Sequence, residues 1–309
     1  MMGGRLPNLL IVGVPKSGTT SLFGYLTQHP DICGSSVKEV GYFHHWDPRG
    51  SAAHRQTPSL EAYASHFAHC AGERYAMEAT PSYCYGGQPV IDAIRETLGA
   101  PKVIISLRDP TERLWSGYTF QRSKGNLGDL QSFEAYVDEA ARAFRAGTDR
   151  AHGRRLQGLA TGYYVNYLPA WIHTFGDDLK VVFAEALADD PAAVLAETFE
   201  WLGIRPLPAS MLDLSSRNVT AHARSPRIAR LIYRLKRSGD RAGILPQSIR
   251  GPLRRLYLRI NAGAAPEVLS PETRARVEEL YRPSNEQTAR ALRAHGVDSL
   301  PPWLEPDRR

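Results

Sequence analysis

One stretch constrains this chain more than any other: IVGVPKSGTTSLFGYL, Ile11 to Leu26. A continuous apolar run, Asn8–Val14, leads into it, the mark of a strand buried on both faces of a parallel sheet. The segment TSLFGYLTQHP leaves it as a helix that stops near Pro30. A strand, a glycine-bearing turn and a helix start present backbone N–H groups and a positive helix end to an anion. Gly13 and Gly18 have the spacing of the G-x-x-x-x-G-K-[ST] triphosphate loop, in which lysine follows the last glycine and the hydroxyl holds Mg²⁺. Here Thr19 and Thr20 follow Gly18, and Lys16 comes two residues before it. That order argues against triphosphate chemistry and so against a kinase of the P-loop class. It suits a ligand with one phosphate at the loop and a second charged group near Lys16. Gly18 lets the main chain approach closely, and Thr19, Thr20 and Ser21 add hydroxyl donors.

The rest of the chain alternates strands with helices. RYAMEA (Arg74–Ala79), KVIISL (Lys102–Leu107) and LKVVFAE (Leu179–Glu185) read as strands. QPVIDAIRETLG reads as a helix closed by Gly99, and RDPTERLWSGYTFQR as a helix started by Asp109-Pro110. GYYVNYLPAWIHTFG is expected to be one helix with Pro169 as a kink, and DPAAVLAETFEWLG another. This order predicts an α/β fold: a P-loop-like central parallel sheet flanked by helices, with a helical C-terminal part. One domain is expected over 1–309, with an α/β cofactor-binding core at 8–207. Residues 208–309 are expected to be mostly helical, ending in a helix pair from Pro271 to Ala294.

A second anion motif stands in VIISLRDPTERLWSGYTFQR. Arg108 lies just past the C-terminal end of a buried strand, where open α/β sheets bind ligands, and Ser116 follows two helical turns on. An arginine and a hydroxyl in such a place make a phosphate clamp. With both motifs in view, the chain resembles the sulfotransferases that use 3′-phosphoadenosine 5′-phosphosulfate (PAPS). PKSGTTSL looks like that family's 5′-phosphosulfate loop and LRDPTERLWSGY like its 3′-phosphate motif. The resemblance runs from about Asn8 to Gly203. It is closest to the heparan sulfate sulfotransferase branch and its bacterial relatives, through KEVGYF (Lys38–Phe43) and EATPSY (Glu78–Tyr83). It implies that Lys16, Ser17, Gly18, Thr19, Thr20 and Ser21 hold the 5′ group and that Arg108 and Ser116 hold the 3′-phosphate. It also places Lys16 beside the bridging oxygen of the leaving group and makes Glu39 the general base. PAPS would be the donor and 3′,5′-diphosphoadenosine (PAP) the product, with no metal.

This sequence departs from the branch in two places that face its sugar acceptor: Gly41 stands where many members have histidine, and Ala79 where they have lysine. His44 and His45 follow closely as candidate assistants. The branch's disulfide hairpin and its Lys-Gly-Arg loop over the cofactor are missing. SSRNVTAHARSPR stands in the loop's place, and Arg227 is the candidate cofactor contact there, with Arg217 and Arg224 nearby.

Charge sharpens this. The chain carries +6, yet residues 217–259 hold 12 Lys/Arg against one acid, a local net of +11. With Ile228, Leu231, Ile232 and Leu235 at helical spacing, that segment is expected to be a flap over the cleft, not a nucleic-acid arm. No apolar run reaches the roughly 20 residues of a membrane span, and the N-terminus lacks a secretory signal's apolar stretch. Cys33, Cys70 and Cys84 are odd in number with no C-x-x-C pair, so neither a structural disulfide nor a cysteine zinc site is expected. A cytoplasmic enzyme follows, without membrane or nucleic-acid partner. Its acceptor is expected to be a small-molecule hydroxyl, a phenol or glycosylated metabolite as in natural-product biosynthesis. That choice leans on Trp46, Tyr83, Tyr85, Trp115, Tyr118, Phe120, Tyr163 and Tyr164 near the motifs. A polysaccharide acceptor is the alternative within the family; a P-loop kinase or an anion-binding module are the alternatives outside it.

Overall fold

The computed structural model describes residues 4–47, 58–123, 126–127, 130, 132–149, 156–215 and 268–305. Arg227 and the segment 217–259 lie outside them. Five strands, β1 (Leu9–Gly13), β2 (Ile32–Gly34), β3 (Tyr75–Ala79), β4 (Lys102–Leu107) and β5 (Leu179–Phe183), form one parallel sheet in the order β2-β3-β1-β4-β5. The described helices are α1 (Thr19–Leu26), α2 (Leu60–Ala64), α3 (Gln88–Leu98), α4 (Pro110–Ser123), α5 (Phe133–Arg145), α6 (Gln157–Ala160), α7 (Leu168–Phe175), α8 (Ala184–Asp189), α9 (Pro191–Trp201) and α10 (Pro271–Ala294).

The described residues fall into two compact units. One takes 4–109, 163–215 and 282–305; the other takes the described parts of 110–162 together with 268–281. The first holds the sheet, and its central strand β1 reads as an unbroken apolar run because both its faces are covered. Side chains alternate across the pleat: Leu10, Val12, Val103 and Ile105 join Val90, Ile94 and Trp171 on one face. Leu9, Ile11, Met77 and Ile104 join Leu22, Leu26, Leu195 and Phe199 on the other. Trp171 is fully buried, and its indole N–H donates to the Cys84 carbonyl at 3.0 Å, so its burial leaves no polar atom stranded. In the second unit Trp115, Tyr118, Phe133 and Tyr136 pack ring on ring. There the Tyr281 hydroxyl donates to the Leu159 carbonyl at 2.9 Å.

Three expectations are corrected. The segment around Pro169 is a 3₁₀ turn (Tyr164–Asn166) followed by α7, with the proline in the first helical turn. There its missing N–H costs nothing, so it starts a helix instead of kinking one. The C-terminal pair is one helix, α10, with Pro283 inside it. Val277 and Tyr281 before the proline and Ala289 and Leu292 after it are all buried, which outweighs a proline cost of about 3 kcal/mol. Cys33 and Cys70 form a disulfide with Cα atoms 5.7 Å apart, and Cys84 is the free, buried thiol. Parallel pairing of β2 with β3 brings the turn before β3 back beside Cys33, a proximity that neither the count nor the spacing of the cysteines contains. The inference of a reducing compartment drawn from those cysteines falls with it.

Candidate active site

Strand β1 ends at Gly13 in the middle of the sheet, and residues 14–18 carry the chain into α1. Gly18 is the N-cap, exposed at the apex of the loop with φ +73°, a left-handed conformation that glycine adopts without steric cost. No side chain caps α1 and its first turn holds no acid, so its leading N–H groups and positive end face outward uncompensated. Strand β4 fixes the loop from the side. The Ser106 carbonyl accepts from Val14 N–H at 2.7 Å, and the Ser106 hydroxyl donates to the Ser17 carbonyl. Arg108 Nη1 donates to the Lys16 carbonyl at 3.2 Å, while the Arg108 carbonyl accepts from the Tyr164 hydroxyl at 2.7 Å.

Inside this loop Ser17 is fully buried, and its Oγ finds no hydrogen-bond partner among the described residues. A buried hydroxyl without a partner costs about 1–3 kcal/mol, so the position is one that a ligand oxygen would satisfy. The neighbouring groups are an ammonium, a guanidinium, hydroxyls and amides, all of them donors. That set fits a phosphate or sulfate. Lys16, Ser17, Gly18, Thr19, Thr20, Ser21 and Arg108 therefore meet at the C-terminal ends of β1 and β4. Ser116 lies half-buried on α4 in the second unit, its carbonyl accepting from the Thr119 hydroxyl at 3.1 Å.

Glu39 belongs to the other flank of β1. Strand β3 pairs with β1 (Ile11 opposite Ala79), and Glu39 N–H donates to the Ala79 carbonyl at 2.9 Å. Neighbouring strands lie about 4.8 Å apart, so the attachment point of Glu39, the Lys16 loop and Arg108 follow β3, β1 and β4 in lateral order. The Glu39 side chain is 61% exposed and pairs with Lys38 Nζ at 3.0 Å. Among the described residues, the non-glycine residues with positive φ are Lys16 (+74°) and Glu39 (+66°). Such backbone costs roughly 1–3 kcal/mol per residue and persists where the surroundings over-determine it, most often at functional sites.

Behind Glu39 stands a group whose role the sequence alone did not disclose. Glu78, the penultimate residue of β3, is fully buried. It accepts from the Tyr63 hydroxyl, from Thr80 Oγ1 at 2.7 Å and from the Tyr83 hydroxyl at 2.8 Å. Burial pushes its carboxyl above the ordinary range while the three hydroxyls pull it back. Burial, with the adjacent Glu78 charge, holds Tyr63 and Tyr83 well above the usual phenol range. The available signal was a charged residue inside an otherwise apolar strand sequence.

The histidines differ from one another. His44 Nε2 hydrogen-bonds Ser82 Oγ at 2.7 Å. His45 lies against Trp46 with ring centroids 3.4 Å apart and planes tilted by 40°, and burial lowers its pKa. Gly41 has φ +75°, and a Cβ there would lie 2.8 Å from His44 Nδ1. His44 thus occupies the space that a side chain at position 41 would need. Ala79 is fully buried. Of the eight aromatics near the motifs, Tyr83, Tyr85, Tyr118 and Tyr164 are core residues, while Trp46, Trp115, Phe120 and Tyr163 are half-buried, so the support for an aromatic acceptor pocket is halved.

A family model described as "Sulfotransferase domain" matches residues 6–233. Among curated proteins, the membrane-associated sulfotransferase kil1 of Dictyostelium discoideum is 37% identical over 144 residues, 44% of this chain and 28% of that protein. The heparan sulfate glucosamine 3-O-sulfotransferase 3B1 of Mus musculus is 29% identical over 202 residues, 65% of this chain and 47% of its own. Carbohydrate sulfotransferase 15 of Mus musculus is 26% identical over 275 residues, 72% of this chain and 48% of its own. The chain spans less than half the length of these relatives. In structure it is similar to a sulfotransferase from Alicyclobacillus acidocaldarius, with TM-score 0.64, 21% identity and coverage of 97% and 99% of the two chains. It is also similar to mouse sulfotransferase SULT7A1 complexed with PAP, with TM-score 0.51, 17% identity and coverage of 96% and 90%. At such identities the structural likeness is one of fold. Among the described residues, no helix is long and apolar enough to cross a membrane.

Proposed function

The chain belongs to the sulfotransferase domain family, and from that premise we propose that it transfers a sulfuryl group from PAPS to a sugar hydroxyl, with Glu39 as general base. One observation carries the reading: Lys16 and Glu39, the pair with left-handed backbone, flank an uncapped helix N-terminus at the ends of adjacent strands. When bound, PAPS supplies the sulfuryl group and leaves as PAP. The α1 N–H groups and the hydroxyls of Ser17, Thr19, Thr20 and Ser21 hold its 5′ end. Arg108 holds the 3′-phosphate, and Ser116 is carried over on the motif alone. Lys16 offsets negative charge on the departing phosphate. The acceptor oxygen forms its bond to sulfur as the bond from sulfur to the phosphate oxygen breaks, and the acceptor proton passes to the Glu39 carboxylate. The protein's own cations serve this chemistry, so activity in a chelator is expected.

A sugar hydroxyl is common to glycosylated small molecules and polysaccharides. It is favoured over a free phenol because half of the aromatics that argued for a phenol pocket, Tyr83, Tyr85, Tyr118 and Tyr164, lie in the core. The names of the heparan and carbohydrate sulfotransferase relatives point the same way. The test is incubation with PAPS and a chelator against glycosaminoglycan oligosaccharides, aryl glycosides and free phenols, with sulfate addition followed by mass spectrometry. Sulfated sugars support the reading; sulfation confined to phenolic hydroxyls overturns the acceptor class. Phosphate transfer from ATP would overturn the reaction.

A further inference from the structure

We propose that Glu78 is a positioning residue: through two hydroxyl relays it sets the backbone of residues 39–43 and so the direction of the Glu39 carboxylate. The proposal rests on the reading of Glu39 as the base. Its first support is polarity. An ionised carboxylate only accepts hydrogen bonds, whereas a hydroxyl both donates and accepts. Thr80 Oγ1 donates to Glu78, and its lone pair is then turned to Gly41 N–H, which donates to it at 3.2 Å. The Tyr83 hydroxyl likewise donates to Glu78 and accepts from Phe43 N–H at 3.2 Å. Each O–H aims inward because the carboxylate is there, and each lone pair therefore aims outward.

The second support is where the relays land. Residue 39 is tied through its own N–H to the Ala79 carbonyl, residue 41 through Thr80 and residue 43 through Tyr83. Between the last two, the Tyr42 ring stacks on Tyr63 with centroids 4.1 Å apart and planes 7° from parallel. Tyr63 is the third donor to Glu78. The segment is thus fixed at residues 39, 41, 42 and 43 by one strand end and one carboxylate. This is the over-determination that a left-handed Glu39 requires to persist. The raised phenol pKa values of Tyr63 and Tyr83 keep both as donors at neutral pH. A carboxylate within a buried strand is costly for stability, and a loop that needs one geometry gives it a use.

Thr80→Val and Tyr83→Phe each break one relay while keeping the carboxylate, and Thr80→Ser restores the hydroxyl. Three quantities are read: amide hydrogen exchange, the PAP dissociation constant, and PAP release from PAPS with a glycosaminoglycan oligosaccharide mixture as acceptor. Expected for T80V and Y83F are faster exchange at residues 39–43 with β1 and α1 unchanged, and PAP affinity within about twofold of wild type. Turnover should fall by about 10- to 100-fold, the scale of a misplaced catalytic group, and T80S should recover it. Unchanged exchange at 39–43 overturns the proposal, as does T80S behaving like T80V. Exchange that quickens throughout the sheet also overturns it, since that is a general loss of stability. Glu39→Gln separates the two readings. Inactive E39Q beside fully active T80V and Y83F overturns the positioning role alone, whereas active E39Q overturns the base assignment on which the proposal rests.

Discussion

At the scale of residues, the proposed function divides binding from chemistry between two side chains. Glu39 is exposed and attached to β3, away from the groups that grip the loop. Replacing it with glutamine is expected to lower kcat by about 10²–10⁴, the usual worth of a positioned base, with PAP affinity unchanged by calorimetry. Arg108 grips the Lys16 carbonyl, so Arg108→Ala should do the reverse and weaken PAP by about 1.5–3 kcal/mol; a kinetic titration shows whether kcat at saturating donor is spared. His45 gives a prediction in pH. Burial depresses its pKa in the fold, so the unfolded chain takes up the proton first. Its contribution to stability is therefore complete above about 6.5, the ordinary imidazole value, and is lost as pH falls through the depressed folded value. Denaturant midpoints on either side of that pH should show a steeper acid loss for wild type than for His45→Phe.

At the scale of elements, the sequence was most informative where a period or a punctuation mark was long enough to read. The apolar runs of β1, β4 and β5 and the Asp109-Pro110 start of α4 are all plain in it. The loop motif disclosed which residues meet, since Lys16 to Ser21 are contiguous. Strand β2, with three residues, is too short to show alternation, and without it the approach of Cys33 to Cys70 was invisible. Nor could the string reveal that Glu78 gathers three hydroxyls, because Tyr63 comes from a helix fifteen residues upstream. Proline punctuation misled at Pro169, where the local rule gave way to position in the helix, and the expected C-terminal helix pair is one packed helix. The disulfide carries a prediction of its own. It joins residues separated by 37 positions, so the chain-entropy estimate puts its stabilisation at roughly 4 kcal/mol. A mild dithiol should lower the melting temperature of wild type and leave Cys33→Ser where it was.

At the scale of the whole molecule, a parallel sheet carries three candidate site segments side by side at the C-terminal ends of neighbouring strands. The end of β3 holds the Glu39 loop, the end of β1 the anion loop, and the end of β4 the arginine. In the proposed function this edge receives PAPS, and the left-handed pair, Lys16 and Glu39, marks where on it the transfer is proposed to occur. Because the anion site is built largely of donors, ligand binding should feed into the stability of the folded chain. PAP at 100 times its Kd should raise stability by about 2.7 kcal/mol, seen as a rise in melting temperature in the presence of a chelator. The most direct measurement is a calorimetric titration of PAP, in chelator, into wild type, E39Q and Arg108→Ala, with ATP·Mg²⁺ in chelator-free buffer as the control ligand. The account predicts binding without metal, equal in wild type and E39Q, weakened about tenfold or more in Arg108→Ala, and little affinity for ATP·Mg²⁺. Tight ATP·Mg²⁺ binding with none for PAP, or PAP binding indifferent to the loss of Arg108, would contradict it.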